Sequence, residues 1–88
     1  MGEKRVWTVE ILFTEDESHT RADARLSTGV RQISGWGRAR RNPNDPDVPA
    51  IGEELAAARA LSDLTHHLIH EAATAIEDFE GHPVELSV

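Results

Sequence analysis

Apolar or small residues occupy every second position over three stretches in the first half of the chain. The stretches run from Arg5 to Thr14, from His19 to Leu26 and from Val30 to Arg41. A period of two residues is typical of strands that bury one face. Short polar turns separate the stretches, and the second turn contains Gly29, which can adopt a positive φ. The pattern predicts three antiparallel strands joined in sequence order.

The second half of the chain has the period of a helix, from about Ala50 to Glu80. One stripe steps by three or four residues through Ala57, Leu61, Leu64, Leu68, Ala72, Ala75 and Phe79. The proline-rich segment Asn42–Pro49 predicts a loop, with Asp47 as the helix cap. Alternation in the tail His82–Val88 predicts a short final strand. The fold class is therefore α+β, a single domain over residues 1–88: a three-stranded antiparallel meander, one long helix and a short C-terminal strand.

The predicted helix is longer than the predicted sheet. Thirty helical residues extend about 45 Å, whereas strands of eight to ten residues extend about 30 Å. The end of the helix should therefore overhang the sheet, and exposed apolar surface usually marks an interface. We expect a symmetric homodimer; the alternative is a helix that kinks or frays and a tail that folds back within one chain. The interface is predicted to contain Ala75, Ile76, Phe79, Val84, Leu86 and Val88.

Charge is sorted along the chain. Residues 48–88 contain eight acids and one base, whereas residues 19–41 contain six arginines and one acid. Arginines beside an exposed tryptophan can bind RNA, by contacting phosphates and stacking on bases. They can equally stack on the tryptophan itself, or form a dimer contact. The predicted RNA- or partner-binding residues are Arg21, Arg25, Trp36, Arg38, Arg40 and Arg41.

Other chemistry has little support in the sequence. The chain has no cysteine, no Gly-x-Ser-x-Gly nucleophile motif and no phosphate-binding loop. We therefore expect a non-enzymatic protein without a cofactor. His66 and His70, with Asp63 one turn earlier, have the spacing of a weak metal site, and a solvated helix face is the alternative. No apolar run of about 18 residues and no signal-peptide core are present, so we expect a cytoplasmic protein without a membrane span.

Four segments resemble a family of small actinobacterial proteins of unknown function: the strand around Trp7, His19–Leu26, Gly35–Arg40 and Ile51–Leu64. The resemblance implies a fold like that of double-stranded-RNA-binding domains. Some relatives are associated with hypoxia or dormancy, and at least one has been likened to ribosome hibernation factors. The resemblance therefore implies a stress-related protein that associates with the ribosome or RNA.

The chain departs from true double-stranded-RNA-binding domains in two respects. Its helix begins with Glu53 and Glu54 where those domains carry lysines, and no N-terminal helix precedes its first strand. Carboxylates at the helix start would repel phosphate. Any RNA contact is therefore expected on the arginine-rich face of the sheet.

Overall fold

The computed structural model describes residues 2–41 and 48–87. It contains β1 (Thr8–Glu15), β2 (His19–Ser27), β3 (Gln32–Arg40) and α1 (Pro49–Glu80). The strands form one antiparallel sheet in the order β1-β2-β3. The predicted α+β fold, a meander followed by one long helix, is therefore confirmed. The predicted cap Asp47 lies outside the described residues.

Two short turns fix the register of the three strands. At the first turn the Asp16 carboxylate accepts hydrogen bonds from the backbone N–H groups of Ser18 and His19, both at 2.8 Å. These bonds favour the ionised carboxylate and lower the pKa of Asp16. At the second turn Gly29 has φ of 91°, and Thr28 N–H donates to Arg31 O at 3.1 Å. The predicted role of Gly29 is confirmed.

The hydrophobic core consists mainly of small residues between α1 and two of the strands. Its buried members are Ala22, Ala24, Leu26, Ile33, Ala39, Ala56, Ala60 and Leu64. The helix can approach β3 closely because Gly35 and Gly37 have no side chain. A Cβ atom at Gly37 would overlap the backbone of Ala56 and Ala60. The prediction that these glycines let the helix lie close to the strand is therefore confirmed.

The sheet-facing side of α1 differs from the predicted stripe. Its buried residues are Ala56, Ala60 and Leu64, and only Leu64 belongs to that stripe. Leu61 is 39 % exposed. The centre of the contact is displaced by about one residue because the backbone of Ala56, Ala60 and Leu64 lies against Gly35 and Gly37 of β3. Apart from Leu64, the residues of the predicted stripe lie on one flank of the helix.

The helix covers only part of the sheet. It packs across β2 and β3 and makes little contact with β1. The pairing of Val9 with Leu26 and of Phe13 with Ala22 places both residues on the helix-bearing side, which we call the inner face. Val9 nevertheless stays 43 % exposed and Phe13 38 %, with Trp7 beside them at 56 %. The predicted half-buried side of the first strand is therefore largely uncovered.

The C-terminal strand is not confirmed. The helix ends at Gly81, whose φ is 79° and whose N–H donates to Glu77 O at 2.6 Å. Residues 82–87 form no strand, and Val84 N–H instead donates to the Glu77 carboxylate at 2.9 Å. Val88, the last residue of the predicted strand, lies outside the described residues. The 32 residues of α1 extend about 48 Å, so the helix outruns strands of nine residues or fewer.

Candidate functional site on the outer face of the sheet

The side of the sheet turned away from α1, the outer face, brings together most of the predicted binding residues. Arg21 lies opposite Arg38 in the β2–β3 pairing, and His19 lies opposite Arg40. In the next row Asp23 lies opposite Trp36. Because alternate strand residues share a face, these side chains form one patch at the end of the sheet near Arg40.

Arg25 extends the patch by a further row. It lies between Glu10 of β1 and Ser34 of β3, two residues along β2 from Asp23. The outer face therefore presents four arginines against two acids, one from each of β1 and β2. The arginines concentrate towards β3, since Glu10 is on the opposite edge strand.

Arg21 is held in a fixed position by two neighbours. Its guanidinium donates to the Asp23 carboxylate from Nη2 at 3.0 Å and from Nε at 3.1 Å. Its Cζ atom also lies 4.5 Å from the centre of the Trp36 ring. The hydrogen bond from Arg21 lowers the pKa of Asp23, and that from Asp23 raises the pKa of Arg21. The pair therefore stays charged, and Asp23 partly neutralises Arg21.

Arg38 and Arg40 differ from Arg21 in their surroundings. Both are exposed, and within residues 2–41 and 48–87 neither guanidinium forms an ion pair. They lie on either side of Ala39, so their side chains leave the same face of β3. Beside them, Trp36 is 49 % exposed. This group combines two available cations with one accessible aromatic surface.

The remaining arginines of the positive segment lie apart from this group. Arg41 follows the end of β3, and its N–H donates to Ser18 O at 2.8 Å. Arg31 belongs to the second turn and pairs with Glu71 of α1 at 2.6 Å. Arg31 therefore joins the sheet to the helix and takes no part in the outer face.

A row of helix side chains closes the free edge of β3, a feature absent from the sequence predictions. Arg59 Nη1 donates to Arg38 O at 2.8 Å, and Trp36 N–H donates to Asp63 Oδ2 at 2.9 Å. One turn further on, His67 Nδ1 donates to Ser34 O at 2.6 Å. Polar residues four apart on a helix are about 6 Å apart along its axis, close to the distance between alternate residues of a strand. The i, i+4, i+8 spacing of polar residues on the helix is therefore the sequence signal that could have indicated this contact.

This edge contact also bears on the weak metal candidates. The Asp63 carboxylate faces β3 and lies 3.5 Å from His67 Nε2. His66 Nδ1 is 2.8 Å from Ser62 O in its own helix. Across the described parts of the chain, no three His, Asp or Glu side chains are arranged to hold a metal ion. The histidine that contacts Asp63 is thus His67, whereas the predicted group named His66 and His70.

The predicted dimer residues occupy the end of α1 and the tail. Phe79 is 92 % exposed and Leu86 38 %, whereas Ile76 and Val84 are half-buried. Ala75 lines a cleft of ≈ 540 Å³ that Trp7 and Leu68 also border. Phe79 is therefore an exposed aromatic residue at the end of α1, with the acids Glu77, Asp78 and Glu80 beside it in the sequence. None of the described helices is long and apolar enough to cross a bilayer.

Comparison with known proteins shows that the chain is similar to small mycobacterial proteins. Residues 5–85 match a family described as Rv2632c-like. The chain is 46 % identical over 76 residues to "Uncharacterized protein Rv2632c" of Mycobacterium tuberculosis (strain ATCC 25618 / H37Rv), spanning 86 % of this chain and 82 % of that protein. It is 45 % identical over 80 residues to "Uncharacterized protein Mb1767" of Mycobacterium bovis (strain ATCC BAA-935 / AF2122/97), spanning 91 % and 85 %.

A solved structure is similar over nearly the whole fold. The structure titled "Crystal Structure of Rv2632c" superposes with a TM-score of 0.83 at 41 % identity, covering 93 % of this chain and 98 % of that one. The meander and the single long helix are therefore shared with an experimentally determined relative.

Proposed function

The chain belongs to the Rv2632c-like family, and we propose that it is a non-enzymatic protein that binds structured RNA through the outer face of its sheet. The observation that carries the proposal is the grouping of Arg38 and Arg40, without ion pairs among the described residues, beside the exposed Trp36. Two guanidinium groups on one strand can each contact a backbone phosphate. The Trp36 ring, already stacked on Arg21, offers its other side to an unpaired base.

The distribution of charge gives the complex one orientation. Helix α1 carries seven acids and packs on the inner face of the sheet, with Asp63 at the edge of β3. Phosphates are therefore attracted to the side of Arg38 and Arg40 and repelled from the helix. The resemblance to dormancy-associated relatives and to double-stranded-RNA-binding domains makes ribosomal RNA the first ligand to test. Contact through the sheet rather than through the start of α1 follows from Glu53 and Glu54.

RNA binding is tested by titrating a fluorescein-labelled ribosomal stem-loop at increasing salt and recording anisotropy. The double variant R38A/R40A should bind more weakly and should reduce the slope of log K against log salt by about 1.5, since each phosphate contact contributes about 0.7–0.9. The control K4A/R5A removes the same charge before β1 and should retain most of the affinity. Absence of binding at low salt, or equal loss in both double variants, would contradict the proposal.

A second candidate function is a protein-interaction module that joins two copies of this chain without binding nucleic acid. The 92 % exposure of Phe79 at the overhanging end of α1 favours it. The arginine patch would then face an acidic partner surface, such as the helix of the second copy. In that case Arg38→Glu should convert a dimer to a monomer in light scattering, and the RNA titration should show no binding for the unmodified chain.

A further inference from the structure

The inner face of β1 and the neighbouring flank of α1 form a partly uncovered surface that is mainly apolar, and the cleft between them also includes Arg5 and the Arg31–Glu71 ion pair. Arg59, Asp63 and His67 point towards the free edge of β3. The opposite flank of the helix therefore faces β1. Its apolar residues are Ala57, Leu61, Leu68, Ala72 and Ala75, and of these Leu68, Ala72 and Ala75 share a cleft with Trp7.

The width of the sheet explains why this surface is uncovered. Strands lie about 4.8 Å apart, and a helix with its side chains is about 10 Å across, so one helix covers about two strands. Here α1 covers β2 and β3, and the inner face of β1 has room for one more helix. The described chain contains a single helix.

We propose that the second helix comes from another copy of this chain, whose α1 lies beside the first α1 and over the inner face of β1. The helix suits both positions because its apolar surface extends beyond the side that meets its own sheet. Leu55 is 46 % exposed and Leu61 39 %, on turns whose inner side already packs on the sheet.

In a two-fold arrangement the α1 helix of each copy covers the inner face of β1 of the other, so both uncovered surfaces are buried together. A helix along a strand of eight residues and along a second helix covers on the order of 500 Å² per protomer, or about 1,000 Å² in total. This area meets the minimum of about 1,000 Å² for a biological interface. The arrangement goes beyond the second candidate function, because it joins two copies through the inner face of β1 and not through the arginine patch. It is independent of RNA binding, which uses the outer face.

Adjacent residues of β1 provide a matched test. Phe13 is on the inner face at 38 % exposure, and Leu12 is on the outer face at 61 %. Phe13→Lys should raise the dimer dissociation constant by about thirtyfold or more, as expected for an aromatic anchor. Leu12→Lys should leave it within about threefold, well below the effect of a buried anchor. Sedimentation measures the association, and circular dichroism checks that both variants keep the fold.

Trp7 reports whether the dimer uses this surface. In a Trp36→Phe background Trp7 is the remaining tryptophan, and its emission should shift to longer wavelength when the dimer is diluted into monomers. A wild-type chain that stays monomeric at high micromolar concentration would overturn both this inference and the second candidate function. A dimer that survives Phe13→Lys, or that dissociates without a change in Trp7 emission, would overturn the inference alone.

Discussion

At the scale of single residues, the fold depends on the absence of two side chains. Gly35 and Gly37 occupy inward positions of β3 where a Cβ atom would overlap the backbone of α1. Small residues, Ala56 and Ala60, occupy the helix side of the same contact. A close approach of this kind stabilises the protein through many backbone contacts and tolerates no added volume.

Gly37→Ala should therefore destabilise the protein by about 1–3 kcal/mol, the usual cost of overpacking. Urea unfolding followed by far-UV circular dichroism measures the change in free energy. Gly2→Ala is the matched control, because a Cβ atom there has no neighbour within 4 Å. Equal unfolding midpoints for the two variants would show that the helix moves away from β3 without cost.

At the scale of elements, the free edge of β3 is closed by side chains of α1. An open edge strand invites uncontrolled pairing with other chains, and natural sheets usually protect it. Here the helix does so in register, with an acceptor for the N–H of Trp36 and donors for the carbonyl groups of Arg38 and Ser34. Asp63 and His67 thus have a structural role at the edge of β3. Their spacing on the helix is also that of an ordinary solvated face, so the sequence did not reveal this role.

Asp63→Ala should expose the Trp36 amide and weaken the docking of α1 on β3. We expect a loss of about 1 kcal/mol, because the carboxylate is partly exposed to water. Amide hydrogen exchange of Trp36, followed by NMR, should become faster than in the unmodified chain. Asp78→Ala changes an exposed acid of the same helix and serves as the control; faster exchange in both variants would refute a specific role of Asp63.

At the scale of the whole molecule, α1 is too narrow to cover all three strands of the sheet and is longer than the strands on which it packs. Both mismatches leave apolar surface exposed: the inner face of β1, and the end of α1 with Phe79. The protein also separates charge, because the outer face of the sheet is cationic and α1 is acidic. RNA binding at the outer face and pairing of two copies over the inner face of β1 would therefore use different sides of the protein.

Removal of the residues after Gly81 tests which surface joins two copies. Within the described range the tail contacts α1 through Val84 N–H, which donates to Glu77, and through His82 Nε2, which lies 3.0 Å from Glu80 Oε2, and it forms no strand. A chain that ends at Gly81 should therefore lose at most about 1 kcal/mol of stability. It should also remain dimeric by light scattering. Loss of the dimer would instead favour the sequence-based prediction that Val84, Leu86 and Val88 pair with a neighbouring chain.

The sequence predicted the order of the three strands and the helix, and the residues of each strand that share a face, whereas the predicted C-terminal strand is not confirmed. Alternation along β1, β2 and β3 and the three-to-four-residue period of α1 are local patterns, so no knowledge of packing was needed. The grouping of Trp36, Arg38 and Arg40 follows from the same alternation. Arg21 and Arg25 were assigned correctly to the outer face for this reason, whereas Arg41 lies beyond the last strand.

Only the tertiary structure determined where the helix lies on the sheet. The lateral position of α1 over β2 and β3 depends on how closely two backbones can approach at Gly35 and Gly37, which a one-dimensional pattern does not contain. That position displaced the core from Ala57 and Leu61 to Ala56 and Ala60. It also left the inner face of β1 uncovered and brought Asp63 to the edge of β3. Periodicity specifies faces, whereas distances between elements come from packing.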